Sequence, residues 1–219
     1  MGKFIVIEGL DGSGKTTQGK LLAERLRSEG KKVRELSFPC YGEKSASLVE
    51  MYLGGELGSS PSDTNGYAAS MLYAADRYIS YVTDWKKDIE DSECTVLATR
   101  YTTANAYHQL SKLPENEWEG FLSWLYDFEF SKIGLPRPDC VVLLSMNQEI
   151  SSANVKGRSD ATGQKMDIHE KDKEYLVRCR DAAFFAAEKD GWKIIECAPE
   201  GELLSIETIN DKIADVIAE

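Results

Sequence analysis

A glycine-rich segment near the start of the chain constrains its fold more than any other feature. Residues 3–8, KFIVIE, form the short, β-branched-rich run that is typical of a strand buried on both faces. The segment GLDGSGKT, residues 9–16, follows with the Walker A spacing GxxxxGK[ST]. Residues 17–28 then place leucine and alanine at helical spacing before Gly30, a typical helix stop. This order of strand, loop and helix predicts a phosphate-binding unit of an α/β fold.

The rest of the chain repeats the alternation of strands and helices. Four more apolar runs predict strands at residues 33–38, 94–98, 140–145 and 192–197. Helical periodicity predicts helices at residues 68–85, 117–130, 173–189 and 206–217. Five strands separated by helices predict a doubly wound α/β fold, in which a five-stranded parallel sheet carries helices on both faces. The length of 219 residues fits one domain, residues 1–219.

One polar segment does not fit this alternation. Residues 156–168, KGRSDATGQKMDI, contain two glycines and few apolar side chains. Such a composition is typical of a solvated surface loop. It also suits a mobile lid, at about residues 154–170, that would bring the cations Lys156, Arg158 and Lys165 to a bound phosphate.

Charge and cysteine usage exclude several classes of protein. A net charge of −11 opposes binding to nucleic acid and to anionic membranes, so we expect neither partner. The five cysteines lie far apart without a CxxC pair, and no apolar stretch reaches the roughly 20 residues of a transmembrane helix. The N-terminus enters a strand pattern at once, which leaves no room for a signal peptide. We therefore expect a cytoplasmic protein with reduced thiols.

The glycine loop predicts a nucleoside triphosphate site. Its backbone N–H groups and the helix N-terminus would surround the β-phosphate, Lys15 would bridge the β- and γ-phosphates, and Thr16 would ligate Mg²⁺. The residues predicted to bind this nucleotide are Gly9, Gly12, Ser13, Gly14, Lys15, Thr16 and Thr17. Asp11 places a carboxylate beside the phosphates at an electrostatic cost, so it better suits a sugar hydroxyl of a second substrate or a metal-bound water. The loop therefore predicts a two-substrate transferase.

Further motifs along the chain resemble those of the thymidylate kinase family. The segments SFPCYGEKSASLVEMYLGGELG, MLYAADRY, TRYTTANAY, PDCVVLL and DIHEKDKEYLVRCR follow EGLDGSGKTTQ in the order and approximate spacing of that family. The resemblance covers nearly the whole chain. It implies transfer of a phosphoryl group from ATP, bound at the glycine loop, to dTMP, which gives dTDP and ADP. It also implies Mg²⁺, a cytoplasmic location and a homodimer.

The same resemblance implies a site for the acceptor nucleotide. Arg100 matches the arginine that holds the acceptor phosphate, for which a planar guanidinium fork is suited. Asn105, with Tyr107 or His108, lies where relatives read the base and exclude a 2′-hydroxyl. The implied acceptor residues are Asp11, Phe38, Tyr41, Tyr73, Arg77, Arg100, Asn105, Tyr107 and His108, with Gln109 as a further candidate.

Two of these residues have a competing interpretation. Tyr73 matches the aromatic residue that stacks on the thymine, but an aromatic side chain on a helix also suits a core position. Arg77 matches an arginine that hydrogen-bonds a base carbonyl, but beside Asp76 it also suits an exposed ion pair. The sequence alone leaves both interpretations open.

Two positions depart from the family pattern. Thr99 stands where the family has an aspartate that helps to hold the Mg²⁺ shell, and Cys40 stands where many relatives have a basic residue. A threonine cannot supply the charge of that aspartate. Either Asp11 and Glu170 carry the metal together with Thr16, or the protein is slow, altered in substrate or catalytically impaired.

The glycine loop also lacks the arginine that some members of the family carry there, since Gly12 and Ser13 occupy those positions. The catalytic cations are therefore expected in the lid, above all Arg158. The residues predicted to be catalytic are Lys15, Arg100 and Arg158. Two alternatives stay open: a related kinase for another nucleoside monophosphate or a nucleoside, and a non-catalytic nucleotide-binding protein, which Thr99 favours.

Overall fold

The computed structural model of the protein describes residues 2–162, 167–170 and 172–218. Its strands are β1 Lys3–Glu8, β2 Lys32–Ser37, β3 Cys94–Thr99, β4 Cys140–Ser145 and β5 Lys193–Glu196. They form one parallel sheet in the order β2-β3-β1-β4-β5. The predicted five-stranded parallel sheet is confirmed, and the bounds of its strands differ from the predicted ones by no more than one residue.

Helices surround this sheet. They are α1 Lys15–Ser28, α2 Ser47–Leu53, α3 Gly66–Ser80, α4 Lys86–Glu90, α5 Thr102–His108, α6 Trp118–Tyr126, α7 Gln148–Thr162, α8 Lys173–Asp190 and α9 Ile206–Ala218. Two π-helical segments, Tyr81–Trp85 and Asp127–Lys132, continue α3 and α6. None of the helices in the described parts of the chain combines the length and apolar composition that a bilayer crossing requires.

Both faces of the sheet are buried, which explains why β1 is apolar from Phe4 to Ile7. Successive side chains of a strand point to opposite faces. Ile5 and Ile7 pack in a cluster with α1 and α9. Phe4 and Val6 pack on the other face, in a cluster with Trp85. The strand that carries the glycine loop is therefore fixed from both sides, as a parallel sheet requires.

The segment predicted as a loop or lid, residues 156–168, is helical in its first part. α7 runs through Gly157 to Thr162, so the prediction of a loop there is wrong. A glycine within a helix costs about 1 kcal/mol relative to alanine, so local propensity disfavours this helix. A tertiary contact stabilises it, because Asn154 Nδ2 of α7 donates to the Gly12 carbonyl of the glycine loop at 2.9 Å.

The sequence pattern also does not predict α2 and α5. Each has seven residues, or about two turns, which is too short for a clear periodicity. All residues of α5 are buried, so it has no polar face to reveal the period. The helices predicted at residues 68–85 and 117–130 are present, but each changes to π-helical geometry in its second part.

The topology places the ends of three strands around one opening. β1 lies at the centre of the sheet, with β3 and β2 on one side and β4 and β5 on the other. Ile7 pairs with Thr99, so β1 and β3 end side by side. Ligands of open α/β sheets bind outside the carboxyl ends of the strands where the strand order reverses. The site is therefore expected at the loops that follow β1, β2 and β3.

Candidate active site

A cleft of about 600 Å³ opens at this edge of the sheet. It brings together side chains that are far apart in the sequence. The predicted site residues that line it are Asp11, Lys15, Thr16, Phe38, Tyr41, Tyr73, Arg77, Arg100, Asn105, His108 and Glu170. Gln109 and Thr99 line the same cleft. The remaining residues of the predicted nucleotide site belong to the glycine loop and the first turn of α1, at one end of the cleft.

The glycine loop presents unpaired backbone donors at the N-terminus of α1. Gly14 caps the helix with φ 84°, a left-handed conformation that favours glycine, and no side chain caps the helix. The first N–H groups of a helix have no carbonyl partner within it, so those of Lys15, Thr16 and Thr17 remain available. No acidic residue stands in the first turn. This end of the cleft is therefore suited to bind a polyphosphate.

The loop also packs directly against α7. Gly12 has φ 81°, and a Cβ atom at this position would collide with the Ser151 carbonyl oxygen of α7. Together with the hydrogen bond from Asn154, this close approach joins α7 to the phosphate end of the cleft. Of the predicted lid cations, Lys156 lies exposed on α7. The side chain of Arg158 and the whole of Lys165 lie outside the part of the chain that the structure describes.

An ion-pair network connects the loop with the end of β3. Asp11 Oδ1 accepts from Arg100 Nη2 at 2.6 Å and lies 3.4 Å from Lys15 Nζ. Burial alone would raise the pKa of Asp11, but Arg100 and Lys15 outweigh it and hold that pKa well below its usual range. Arg100 has φ 65°, an uncommon conformation for a residue with a side chain. Such strain is typical of functional positions.

Burial and, next to it, the charge of Arg100 lower the pKa of Lys15 to about 8. The carboxylates of Asp11 and Glu8 oppose this shift but do not cancel it. Below that pH the ammonium form of Lys15 predominates, and this is the form that binds phosphate. Above it, binding ATP requires the uptake of one proton. We expect the affinity for ATP to fall by up to about tenfold per pH unit between about pH 8 and 9.5.

Calorimetric titration with ATP across this range tests the expectation. Lys15→Arg is the matched control, because its guanidinium stays charged and should give a flat profile over the same range. A wild-type affinity that does not change with pH would contradict the assigned role of Lys15 in binding the phosphates.

The two histidines of the chain stack against each other in the wall of the cleft. Their ring centroids lie 5.4 Å apart at an interplanar angle of 24°. His108 Nε2 lies 2.8 Å from Arg100 Nη1, and His169 Nε2 lies 2.8 Å from the Tyr52 hydroxyl. Burial lowers the pKa of His169 to about 3 and, with the charge of Arg100, holds the pKa of His108 well below its usual value. Both rings are therefore neutral near pH 7.

A buried ion pair forms the other end of the cleft. Arg77 is only 1% exposed, and its Nε and Nη2 donate to the two carboxylate oxygens of Glu129 at 2.8 and 2.6 Å. Asp76 points elsewhere and accepts from Ser45 Oγ at 2.6 Å and from Cys40 N at 2.9 Å. The alternative interpretation of Arg77 as part of an exposed ion pair with Asp76 is therefore wrong.

Aromatic side chains line the cleft near this ion pair. Tyr73 is half-buried and meets the edge of Tyr52 at a centroid distance of 6.1 Å. Phe38 is buried in the core beside Tyr101 and still reaches the cleft, whereas Tyr41 is largely exposed. The structure thus places Tyr73 at the cleft wall rather than wholly in the core.

Tyr107 is the predicted acceptor residue that the structure places away from the cleft lining. Its hydroxyl donates to Glu8 Oε2 at 2.8 Å, beneath the glycine loop. Glu8 is fully buried and also accepts from Thr103 Oγ1 at 2.6 Å and from Tyr101 N at 3.0 Å. Burial raises the pKa of Glu8. Of the two positions left open in the sequence, His108 therefore lines the cleft and Tyr107 supports the loop.

Comparison with known proteins agrees with this geometry. The family model described as thymidylate kinase matches residues 7–208. Thymidylate kinase of Mycobacterium tuberculosis is 33% identical over 191 residues, which cover 86% of this chain and 87% of the relative. A probable thymidylate kinase of Methanococcus maripaludis is 30% identical over 228 residues, 99% of this chain and all of the relative. The chain belongs to the thymidylate kinase family.

The fold agrees with this membership. A solved thymidylate kinase from Candida albicans matches with a TM-score of 0.71 at 20% identity, over 99% of this chain and 91% of that one. At this identity the likeness shows the fold, the P-loop NTPase fold of a thymidylate kinase, and the predicted fold class is confirmed. The family membership also confirms the prediction of a transferase that uses ATP.

The thymidylate kinase site offers few protein ligands for Mg²⁺. Thr16 places a hydroxyl in the cleft, and Glu170 lines it, but the carboxylate of Asp11 is already shared with Arg100 and Lys15. The described residues contain no group of three or more His, Cys, Asp or Glu side chains arranged to hold a metal ion. Mg²⁺ keeps several water and phosphate ligands in kinase sites. The residues present therefore fit an ion held mainly by the nucleotide rather than by a protein cage.

Sequence reasoning missed several residues that build this site. Glu8 and Glu129 are not among the predicted residues, although Glu8 ends an apolar run and Glu129 lies between two phenylalanines, which are unusual places for a charge. His169 and Asp167 lie in residues 167–172, DIHEKD, of which only Glu170 is among the predicted site residues. Burial raises the pKa of Asp167, at the wall of the cleft, to about 6.

Proposed function

We propose that the protein transfers the γ-phosphoryl group of ATP to dTMP, which gives dTDP and ADP. The observation that carries this proposal is that one cleft is lined by Lys15 and Thr16 at the N-terminus of α1 and also by Tyr73, Arg77 and Asn105, side chains that suit a nucleobase. The Arg100–Asp11 pair lies between the two ends. A donor and an acceptor can therefore meet near Arg100, within one cleft.

Positioning supplies most of the catalysis in such a site. An acceptor phosphate is already nucleophilic, so phosphoryl transfer needs in-line placement and positive charge more than a base. Lys15 and the backbone donors of Gly14 to Thr17 hold the β- and γ-phosphates, while Arg100 holds the acceptor phosphate. Mg²⁺, carried on ATP and contacted by Thr16, would neutralise charge on the transferred group. Asp11 orients Arg100 and accepts from a sugar hydroxyl of the acceptor.

The pocket for the base combines stacking with hydrogen bonds. Tyr73 offers its ring face, a contact worth roughly 1 to 3 kcal/mol for any base. Arg77 and Asn105 add polar contacts that depend on the identity of the base. Gln109 is fully buried at the cleft, and neither atom of its amide has a hydrogen-bond partner among the described residues. A buried amide without partners costs about 1 to 3 kcal/mol, which a bound base would recover.

The segment at residues 154–170 is proposed to act as the lid over the transferred phosphate. α7 already rests on the glycine loop through Gly12, which brings the helix itself beside the phosphate end of the cleft. Arg158 is one turn beyond Asn154 and is the proposed catalytic cation of the lid, with Lys156 and Lys165 in support.

A panel of acceptors tests the proposed function. Steady-state ADP release with ATP and Mg²⁺ is measured for dTMP, dUMP, dCMP, dGMP, UMP and thymidine. We expect the highest kcat/KM for dTMP. A higher value for another acceptor assigns the chain to a related kinase, and ATP binding without phosphorylation of any acceptor assigns it to non-catalytic nucleotide binding.

Thr99 decides between a fully active and an impaired enzyme. Its methyl group packs close to Gly19 of α1, where a Cβ atom would approach Thr99 Cγ2 to 2.8 Å. An aspartate of similar size would add a carboxylate at the end of β3, next to Thr16. We expect Thr99→Asp to leave kcat unchanged or raise it by up to about tenfold. Steady-state kinetics with Thr99→Asn as the uncharged control measure this, and a loss of turnover in a folded Thr99→Asp protein would contradict the expectation.

We further propose a cytoplasmic homodimer. None of the five cysteines, all of which lie in the part of the chain that the structure describes, forms a disulfide, as expected for a reducing compartment. Tyr67, Met71, Tyr78 and Val82 recur at intervals of four and seven residues on α3 and its continuation, and each is 41 to 55% exposed. Such an apolar stripe suits a second copy of the chain. Met71→Asp should convert a dimer to a monomer in light scattering, whereas an unchanged mass would exclude this face.

A further inference from the structure

Glu129 accepts hydrogen bonds from three side chains that surround the base end of the cleft. It lies in the π-helical segment Asp127–Lys132 and is fully buried. Besides the two donors of Arg77, its Oε2 accepts from Thr102 Oγ1 at 2.7 Å and its Oε1 from Asn105 Nδ2 at 3.2 Å. A π-helical insertion often marks a functional position. Here it places one carboxylate directly behind two residues that line the cleft.

The pairing with Glu129 leaves Arg77 as a donor of fixed direction and compensated charge. A guanidinium has five N–H donors. Glu129 takes two of them, and the Tyr101 carbonyl takes a third at 3.4 Å. The donors left over belong to a cation whose charge is neutralised by a buried carboxylate. They are therefore better suited to a neutral carbonyl oxygen of a ligand than to a phosphate, which Arg100 serves.

The same carboxylate fixes the orientation of the Asn105 amide. Asn105 Nδ2 faces Glu129 Oε1 and, at 3.4 Å, the Ser70 carbonyl oxygen. Both neighbours accept hydrogen bonds, so the NH₂ group must face them and the Oδ1 atom must face away. Asn105 is 2% exposed and lines the cleft. Its Oδ1 is thus held as an acceptor at the wall of the cleft.

Gln109 differs from Asn105 in how its side-chain amide is held. Its amide also lines the cleft, but no described residue holds either of its polar atoms. No hydrogen bond among the described residues therefore fixes which of its two polar atoms would face a bound base. Gln109 therefore adds affinity without fixing the choice of base, whereas Arg77 and Asn105 are locked as a donor and an acceptor.

We infer that Glu129 is a positioning residue that sets this polarity and thereby selects a base with an imide edge over an amino pyrimidine. Thymine presents the carbonyl O4 beside the N3–H donor, which complements Arg77 and Asn105. Cytosine presents an amino group beside an unprotonated nitrogen, which opposes both. The inference rests on the proposed function, because it takes the acceptor base to lie at this end of the cleft.

The test compares the binding of dTMP and dCMP to wild type and to Glu129→Gln. In this variant the new amide can donate a hydrogen bond to Asn105. The Asn105 amide can therefore rotate so that its NH₂ group faces the cleft. In wild type we expect the Kd of dCMP to exceed that of dTMP by about tenfold or more. In Glu129→Gln this ratio should fall by about tenfold. The Kd for ATP should not change, because the glycine loop is at the other end of the cleft.

Two further variants keep the test decisive. Glu119→Gln, on α6, removes an exposed carboxylate that pairs with Lys189, and it should leave the ratio unchanged. Asn105→Ala leaves the Arg77–Glu129 pair intact and should also lower the ratio, by roughly threefold or more, which covers the case in which Glu129→Gln does not fold. The inference is overturned by a wild-type ratio near one or by an unchanged ratio in a folded Glu129→Gln protein. If that variant does not fold, an unchanged ratio in Asn105→Ala overturns it. Because the ratio is measured by binding, failure of the proposed reaction is detected separately, by turnover.

Discussion

Replacing Lys15 with methionine is expected to lower kcat for dTDP formation by roughly a thousandfold. Methionine retains the length and apolar stem of the side chain, so the buried position stays filled. What is lost is the charge that lies beside the N-terminus of α1, 3.4 Å from the Asp11 carboxylate. In the proposed complex that charge would face the bridging and γ-phosphate oxygens, where negative charge redistributes during transfer. The effect should therefore appear in kcat more strongly than in the affinity for ATP.

Stopped-time assays at saturating ATP and dTMP measure this loss. Lys20→Met, an exposed lysine on the same helix, is the matched control and should retain full activity. Circular dichroism confirms the fold of both variants. A Lys15→Met protein that retains more than about a tenth of the wild-type kcat would remove Lys15 from the catalytic machinery.

Arg100→Ala is expected to lower kcat/KM for dTMP by roughly a hundredfold or more. Arg100 stands between the two ends of the cleft, fixed by Asp11 on one side and by His108 on the other. Its removal deletes the proposed acceptor-phosphate fork and leaves Asp11 with Lys15 as its remaining cation. The KM for dTMP should rise, while the Kd for ATP changes little.

Arg100→Lys separates charge from geometry, because it keeps the positive charge but cannot form a planar fork. It should recover part of the lost activity and less than half of the lost free energy of transition-state binding. Arg27→Ala, an exposed arginine of α1, controls for the loss of one positive charge. Unchanged kinetics with dTMP in Arg100→Ala would remove this residue from the acceptor site.

The fold was predictable because its signals are local. β1 is apolar from Phe4 to Ile7 because both faces of the sheet are covered. The glycine loop is recognisable because its spacing is typical of phosphate binding. α7 was not predictable in the same way. Its stability depends on a contact between Asn154 and Gly12, which are 142 residues apart, and no local pattern encodes such a contact.

The site was predictable where one residue type serves one chemical purpose. Lys15 and Arg100 are recognisable from their motifs. The Arg77–Glu129 pair joins residues 52 positions apart, so nothing near Arg77 in the sequence reveals its partner, and the adjacent Asp76 suggests a false one. Likewise, the adjacent side chains of Tyr107 and His108 point in different directions, because successive residues of a helix are about 100° apart. Tyr107 points towards Glu8, and His108 points towards the cleft.

Transfer of a labelled γ-phosphoryl group tests the central claim most directly. The protein is incubated with γ-labelled ATP, Mg²⁺ and dTMP, and the products are separated by chromatography. The account predicts that the label appears in dTDP, that its formation requires dTMP, and that Lys15→Met abolishes it. Release of the label as inorganic phosphate, or retention of all label in ATP by a protein that binds both nucleotides, would contradict the account.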